Sequence, residues 1–384
     1  MTSNRLPIIG MACASHLGEN LRGLPASNDP HSEYTPPYIT LASTGLVLPY
    51  YAIDGNLDSE NRLPKILFEV VGRALDRSEL TSEDLRHTGI FIGSSSYDLR
   101  HSEVLYQKQL AAADPNAMPM AYTGYNRLGA AVCEHFSIGG EPFNLNTACT
   151  SSANALLLAH SMLRQEKYRH ALVIGLELYN ETTITGFSGL QLIAERRIAP
   201  FDAERDGILL GESCSAVVLS ADHRRTTGTG LYTHGGGSSF DPYSITTSNP
   251  DGSTIARALE LALHHSGIDR QQILAIKTHG TGTRMNDASE SQGIINVFGP
   301  KTPPITAIKP YVGHTLGACG TLELILFGQA LRDGWLPKTL NQESPDPDLD
   351  LTPMHENREA QPGFYLLDFF GFGGSNTVIV LEKA

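Results

Sequence analysis

Cys149 is the residue of this sequence best placed to act as a nucleophile. It stands in Asn146-Thr-Ala-Cys149-Thr-Ser-Ser-Ala, where a short strand, Pro142–Asn146, hands over to a helical pattern at Ser151–Arg164. A cysteine at a helix N-terminus feels the positive end of the dipole and the free N–H groups of the first turn. Its thiolate is expected to be stabilised and its pKa to fall. A nucleophilic thiol needs that setting. Taken alone, the position also suits a small buried residue in a tight turn. Cys13, Cys133, Cys214 and Cys319 read as buried small hydrophobes.

His279 ends an apolar strand, Ile273–His279, and opens the loop His279-Gly-Thr-Gly-Thr283, with Asp287 and Glu290 beyond it. Short side chains let a ligand approach such a backbone, and threonine hydroxyls can bond a phosphate or an amide. Alone, His279 reads more readily as a loop histidine held by backbone groups. Further on, a strand at Ile305–Ile308 presents Lys309, and a glycine turn presents His314. The helix after it, to Arg332, is rich in small residues and suggests close packing on another backbone. The last element is Gly371-Phe-Gly-Gly-Ser-Asn376, whose glycines suggest unusual backbone angles and free N–H groups. It matches the opening of G-x-G-x-x-G, but only eight residues follow Asn376, too few for a βαβ unit, so a dinucleotide site is rejected. One cysteine and two histidines, each at a strand end beside a glycine turn, make a constellation far less probable by chance than any of them alone.

Strands and helices alternate around these residues. Leu6–Ala12, Thr88–Gly93, Leu172–Glu177 and Ser213–Ser220 read as buried strands. Leu63, Ile66, Leu67, Val70, Val71 and Leu75 share one helical face, and Tyr125–Phe136 is helical. The stretch from Glu19 to about Asn61 reads as irregular surface structure. The polar segment Asp222–Gly230 divides the chain into 1–225 and 226–384. After it come helices at Thr254–His265, near Asp287–Val297 and from Thr315, and two closing strands, Phe364–Phe370 and Thr377–Glu382. The pattern is that of an α/β fold with buried sheets.

The chain has 384 residues, 18% charged, with a net charge of −13. That balance argues against a general binder of nucleic acid or anionic membrane. A local basic patch would have to come from residues such as Arg196, Arg197 and Arg205. Five widely spaced cysteines without a C-x-x-C pair give neither a disulfide framework nor a common zinc pattern. A reduced, cytoplasmic setting is expected. The apolar run Leu6–Ala14 is short and broken by Pro7 and Gly10, unlike a secretory leader.

Five segments together resemble the β-ketoacyl-acyl carrier protein synthases of the thiolase superfamily. They are TACTSS around Cys149, RDGILLGE at 205–212, HGTGTRMNDASE at 279–290, KPYVGHTLGACG at 309–320 and FGFGGSN at 370–376, with GMACASHLG at 10–18 as a looser echo. The resemblance implies a duplicated thiolase-like fold, two similar halves with buried mixed sheets in an αβαβα layering. It implies Cys149 as nucleophile, with His279 and His314 as catalytic partners. Lys309 would set the local electrostatics, with Glu290 as an internal partner. Thr281 and Thr283 would touch pantetheine. Phe372 would be a gate, and its N–H with that of Cys149 would form an oxyanion hole. The implied reaction is decarboxylative condensation of an acyl group on Cys149 with malonyl-acyl carrier protein. No metal or cofactor of its own is expected, since the phosphopantetheine arrives on the carrier protein.

The expected partners are acyl carrier protein and a second ketosynthase-fold chain, in a homodimer or a heterodimer. A chain-length-determining subunit of a heterodimer is the alternative, although such subunits usually lack the cysteine. Asn146 and Thr150 beside the nucleophile are unusual and lean towards a specialised polyketide or polyene pathway. Fatty-acid elongation fits as well.

Overall fold

The computed structural model describes residues 4–23, 36–57, 59, 61–112, 126–225 and 228–384. Ten strands of these residues form one mixed sheet order. They are β1 (Leu6–Ser15), β2 (Thr88–Gly93), β3 (Pro142–Leu145), β4 (His170–Glu177), β5 (Ser213–Ser220), β6 (Leu231–Phe240), β7 (Ile273–Lys277), β8 (Ile305–Thr306), β9 (Gly363–Gly371) and β10 (Ser375–Lys383). The order across the sheet is β8-β7-β9-β10-β6-β1-β5-β4-β2-β3. β1 is the junction: Leu6 and Pro7 pair with Thr233 and Tyr232 of β6, and Ile8 to Ser15 pair with β5.

The order is the same pattern twice. In each set of five strands the sequence across the sheet is third, second, fourth, fifth, first. The pairing senses repeat too. β3–β2–β4 and β8–β7–β9 are parallel, whereas β4–β5–β1 and β9–β10–β6 are antiparallel.

Almost every strand is buried on both faces, so its residues are apolar without interruption. Successive side chains point to opposite faces and enter different cores. In β4, Ala171 and Val173 join a central core, and Leu172 and Ile174 an outer one. In β10, Ile379 and Leu381 join the same central core, and Val378 and Val380 the opposite outer one. Helices α1 (Arg62–Ser78), α2 (Ser151–Arg164), α3 (Ser253–Ser266), α4 (Arg284–Phe298) and α5 (Cys319–Arg332) fill the layers. α1 lies outside β1 and β5, and α3 lies outside β6 and β10. α2 and α5 lie between strands of both halves. They touch at backbone distance: a Cβ on Gly320 would stand 2.2 Å from Ala153 N. The layering is αβαβα.

Some elements differ from the sequence reading. β6 is unexpected, because LYTHGGGSSF carries no apolar alternation. Its glycines answer to crowding: a Cβ on Gly237 would lie 2.4 Å from Ala262 N of α3. Helices at Leu99–Ala111 and Glu181–Gly189 were not foreseen either. Of the stretch 19–61, residues 24–35, 58 and 60 lie outside the described residues, as does Tyr125 at the start of a helix seen at Asn126–Phe136. The described part of 19–61 is not merely surface. Tyr38–Thr40 and Val47–Pro49 form a hairpin, and Tyr50 and Tyr51 behind it are buried. No helix of the described residues is long and apolar enough to cross a membrane.

Candidate active site

Cys149 lies two residues ahead of α2, in a turn that begins at Thr147. Ala148 just before it has φ 52°, a left-handed conformation that costs a residue with a Cβ about 1–2 kcal/mol. Local hydrogen bonds hold that turn. Ser151 Oγ accepts the Thr147 N–H at 2.9 Å and donates to the Ala148 carbonyl at 2.6 Å. Asn146 Oδ1 accepts the Ala148 N–H at 3.2 Å. Asn154 of α2 donates to Thr147 Oγ1 at 2.9 Å and accepts from Thr377 Oγ1 of β10 at 2.9 Å. The turn is thereby tied to the C-terminal hairpin.

The loop of that hairpin stands directly over the thiol. A Cβ on Gly371 would lie 3.1 Å from Thr147 O and 3.2 Å from Cys149 N, which leaves little room for any side chain. The Phe372 N–H faces the Cys149 sulfur and favours its thiolate. Cys149 is 5% exposed. Burial pushes its thiol up to about 11, against the pull of the Lys309 charge and the Phe372 N–H. The expectation of a lowered pKa is therefore corrected. Desolvation of a thiolate in this pocket outweighs the favourable helix end.

His279 follows β7 by two residues. Two acids on one face of α4 pin its loop. Glu290 accepts the His279 N–H at 2.6 Å and the Gly280 N–H at 2.8 Å. Asp287 accepts the Gly282 N–H of the loop at 3.3 Å and the Phe201 N–H at 2.8 Å. Lys309 opens a one-turn helix, Lys309–Val312, instead of ending a strand, since β8 stops at Thr306. Its Nζ lies 3.1 Å from His279 Nδ1 and 2.7 Å from Glu323 Oε1. The ion-pair partner of Lys309 is thus Glu323 of α5, while Glu290 serves through the backbone of His279. Glu323 is shared: its Oε2 takes Lys277 Nζ at 2.5 Å, and the same amine donates to the Asp368 carbonyl at 2.7 Å.

All of these groups are buried. Burial opposes the charge on Lys309, but Glu323 outweighs it and the lysine pKa is raised. The His279 pKa is held well below its usual value by burial and then by Lys309, His314 and Lys277. Burial, Lys309 and Lys277 do the same to His314. Two neutral imidazoles therefore stand edge to face, with ring centroids 5.3 Å apart.

Cys149, His279, His314, Thr281, Thr283 and Phe372 line one cavity of about 270 Å³. Thr281 Oγ1 and Thr283 Oγ1 are 3.0 Å apart at its wall. Phe372 stacks on Phe187, with centroids at 5.6 Å. The loop beneath Phe372 leans on another: Gly373 N–H donates to the Ile245 carbonyl at 2.7 Å. All eight residues singled out in the sequence thus lie at this site or, for Glu290 and Lys309, directly behind it. Glu323, Lys277, Asp368 and Phe187 were missed. Arg205 supplies no surface charge: it is buried, with Nη1 2.5 Å from Asp346 and 2.7 Å from the Asp202 carbonyl.

A thiol beneath a backbone N–H, in one cavity with two neutral imidazoles, is equipped for covalent acyl transfer. Comparison with known proteins agrees. Residues 57–224 match the beta-ketoacyl synthase N-terminal domain, and residues 232–343 match the beta-ketoacyl synthase C-terminal domain. The chain belongs to the β-ketoacyl synthase family. It is 28% identical to 3-oxoacyl-acyl-carrier-protein synthase 2 of Coxiella burnetii, over 79% of this chain and 77% of that one. It is 29% identical to the protein of the same name in Vibrio harveyi, over 81% and 79%. The solved structure of the ishigamide ketosynthase/chain length factor superposes with a TM-score of 0.87 at 26% identity, covering 99% of each chain.

Proposed function

We propose that this chain elongates an acyl chain by two carbons, through decarboxylative Claisen condensation with malonyl-acyl carrier protein. The observation that carries the reading is the pair of neutral histidines in one cavity with a buried thiol. Cys149 attacks the acyl thioester of a carrier protein. The Cys149 S–C bond forms, the carrier C–S bond breaks, and the thiol proton passes to the departing pantetheine sulfur. The N–H groups of Cys149 and Phe372 hold the oxyanion of that step. Thr281 and Thr283 bond the pantetheine arm.

Malonyl carrier protein then enters. Its carboxylate leaves as CO₂, and the electron pair moves into the thioester as an enolate. His279 and His314 donate N–H to that oxygen, which neutral imidazoles can do without giving up their proton. The carbanion attacks the acyl carbonyl, the new C–C bond forms, and the Cys149 thiolate leaves and takes a proton from water. The reaction draws on side chains, backbone and the carrier's own phosphopantetheine. Phe372 gates the thiol. The chain-length-subunit alternative is less favoured, because Cys149, His279, Lys309 and His314 are all present and assembled.

The same reading takes 1–225 and 226–384 as the two halves that supply thiol and histidines, and places the chain in the cytoplasm as a dimer with itself or a homologous subunit. β3, half-buried at the outer end of the sheet order, is the proposed seam. The test is intact-mass analysis of the protein mixed with a panel of acyl carrier proteins. One acyl group should appear, map to Cys149 and be absent from Cys149→Ala. An acyl group elsewhere, or elongation by Cys149→Ala, would overturn the reading.

A further inference from the structure

His314 is held by a contact that no part of the reaction above requires. Its Nδ1 faces two groups. The Leu316 N–H points at it from 3.2 Å, and the Cys319 sulfur lies 3.2 Å away. A backbone N–H can only donate, so Nδ1 is the accepting nitrogen. The Leu316 bond is made from a residue at φ 44°, a backbone conformation rarely used by leucine. That bond sets the tautomer, with the ring proton on Nε2. The thiol supplies the second clamp.

Cys319 is itself positioned. It is the first residue of α5, packed where Gly320 meets the backbone of α2, and it is fully buried. The Thr315 hydroxyl donates to its sulfur at 3.8 Å. Thr315, Cys319 and His314 thus form a short chain of donors, hydroxyl to sulfur to ring nitrogen. We infer that Cys319 is a positioning residue for His314, its S–H joining the Leu316 N–H at Nδ1 and holding the ring plane so that Nε2–H is aimed at the cavity. Burial also pushes the Cys319 thiol pKa up, so the sulfur keeps the proton it donates.

His279 receives the same instruction from a different group, Lys309 on its Nδ1. One histidine is set by an ammonium and the other by a backbone N–H and a thiol. The inference rests on the proposed roles of Cys149 and the histidine pair. It concerns only the step in which His314 donates, and it predicts little change in acyl loading.

The experiment compares the parent protein with Cys319→Ala and Cys319→Ser in three measurements: acyl loading by intact mass, CO₂ release from malonyl carrier protein, and the side-chain spectrum of ¹⁵N-histidine-labelled protein. In Cys319→Ala, CO₂ release should fall by about three- to tenfold, the rate counterpart of one modest hydrogen bond. Loading should stay within about twofold, as suits a contact that acts on one half-reaction. The His314 ring signals should shift as the ring plane loosens, with the proton still on Nε2 because the Leu316 N–H remains. Cys319→Ser, which keeps a donor, should restore both readouts. Parent-like CO₂ release and parent-like His314 signals in Cys319→Ala would overturn the inference. So would equal losses in loading and CO₂ release that serine fails to rescue. If Cys319→Ala does not fold, Cys319→Val, which keeps the bulk and lacks a donor, takes its place with the same expected and contrary outcomes. If the parent never loads an acyl group, the Cys149 reading fails, and the histidine spectrum still decides this one.

Discussion

Lys309 Nζ stands 3.1 Å from His279 Nδ1, and this contact decides what the imidazole can do. An ammonium has no lone pair, so Nδ1 must accept and the ring's single proton sits on Nε2. The same positive charge discourages a second proton. His279 is therefore built as a donor and is a poor base. That assignment favours stabilising a developing enolate over deprotonating Cys149.

The histidine pair should separate the half-reactions. His279→Ala or His314→Ala should lower malonyl decarboxylation by roughly 10²–10³, the worth of one oxyanion donor. Acyl transfer to Cys149, followed by intact mass, should fall far less. Equal losses in both steps would mean that the histidines act on the thiol or on the fold.

The thiol should show its buried character. With a pKa near 11 in the unliganded protein, only a small fraction is thiolate at neutral pH, and that fraction grows as pH rises. Alkylation of Cys149 by iodoacetamide should climb about tenfold per pH unit from pH 7 to 9, without a plateau. Lys309→Met should slow it further at each pH, since the Lys309 charge favours the thiolate. A plateau below pH 8 would show a thiolate already formed at rest.

Asp368 offers a stability test. Its carboxyl is buried, neither oxygen has a hydrogen-bond partner among the described residues, and burial pushes it up to about 7 against the pull of Lys277. A carboxyl raised on folding stabilises the protein below its unfolded pKa, and that contribution is lost as pH rises through the folded value. Asp368→Asn should therefore gain stability over the parent at pH 8, by about 1–4 kcal/mol. The gain should shrink as pH falls towards 4. Urea unfolding of both proteins at the two pH values measures it, and a gain that ignores pH would contradict the assignment.

Phe372 should control order. Its ring stacks on Phe187 beside the thiol, on a loop with Gly373 at φ 82° and Gly374 at φ 85°, angles that favour glycine. Phe372→Ala should fold normally yet release CO₂ from malonyl carrier protein before any acyl group is loaded. Unchanged release, with normal loading and elongation, would make the ring mere packing.

Much of the site was legible because its residues interrupt regular patterns. Cys149, His279 and His314 each stand at a glycine or small-residue turn, where a reactive side chain is conspicuous. Glu323 was not, because it sits within the apolar run of α5 and answers to lysines far away in sequence. Lys277 hides in the same way inside Ile-Leu-Ala-Ile-Lys. β6 was missed because a strand is recognised by its side chains, and this one dispenses with them to let α3 approach. The Cys149 pKa was misjudged for a related reason. A helix start can be read from a sequence, whereas the depth at which a thiol is buried depends on a hairpin more than 200 residues away.

In each half the loop after the third strand opens onto the same cavity: Thr147–Thr150 after β3, and the segment from Lys309 to His314 after β8. A chain made by doubling one unit begins with the same loop on both sides, like groups facing like across a two-fold axis. The strand order has kept its symmetry while the loops have lost theirs. The division of labour between nucleophile and proton donors lies in residues after three strand ends, and the sheet order is the same in both halves around them.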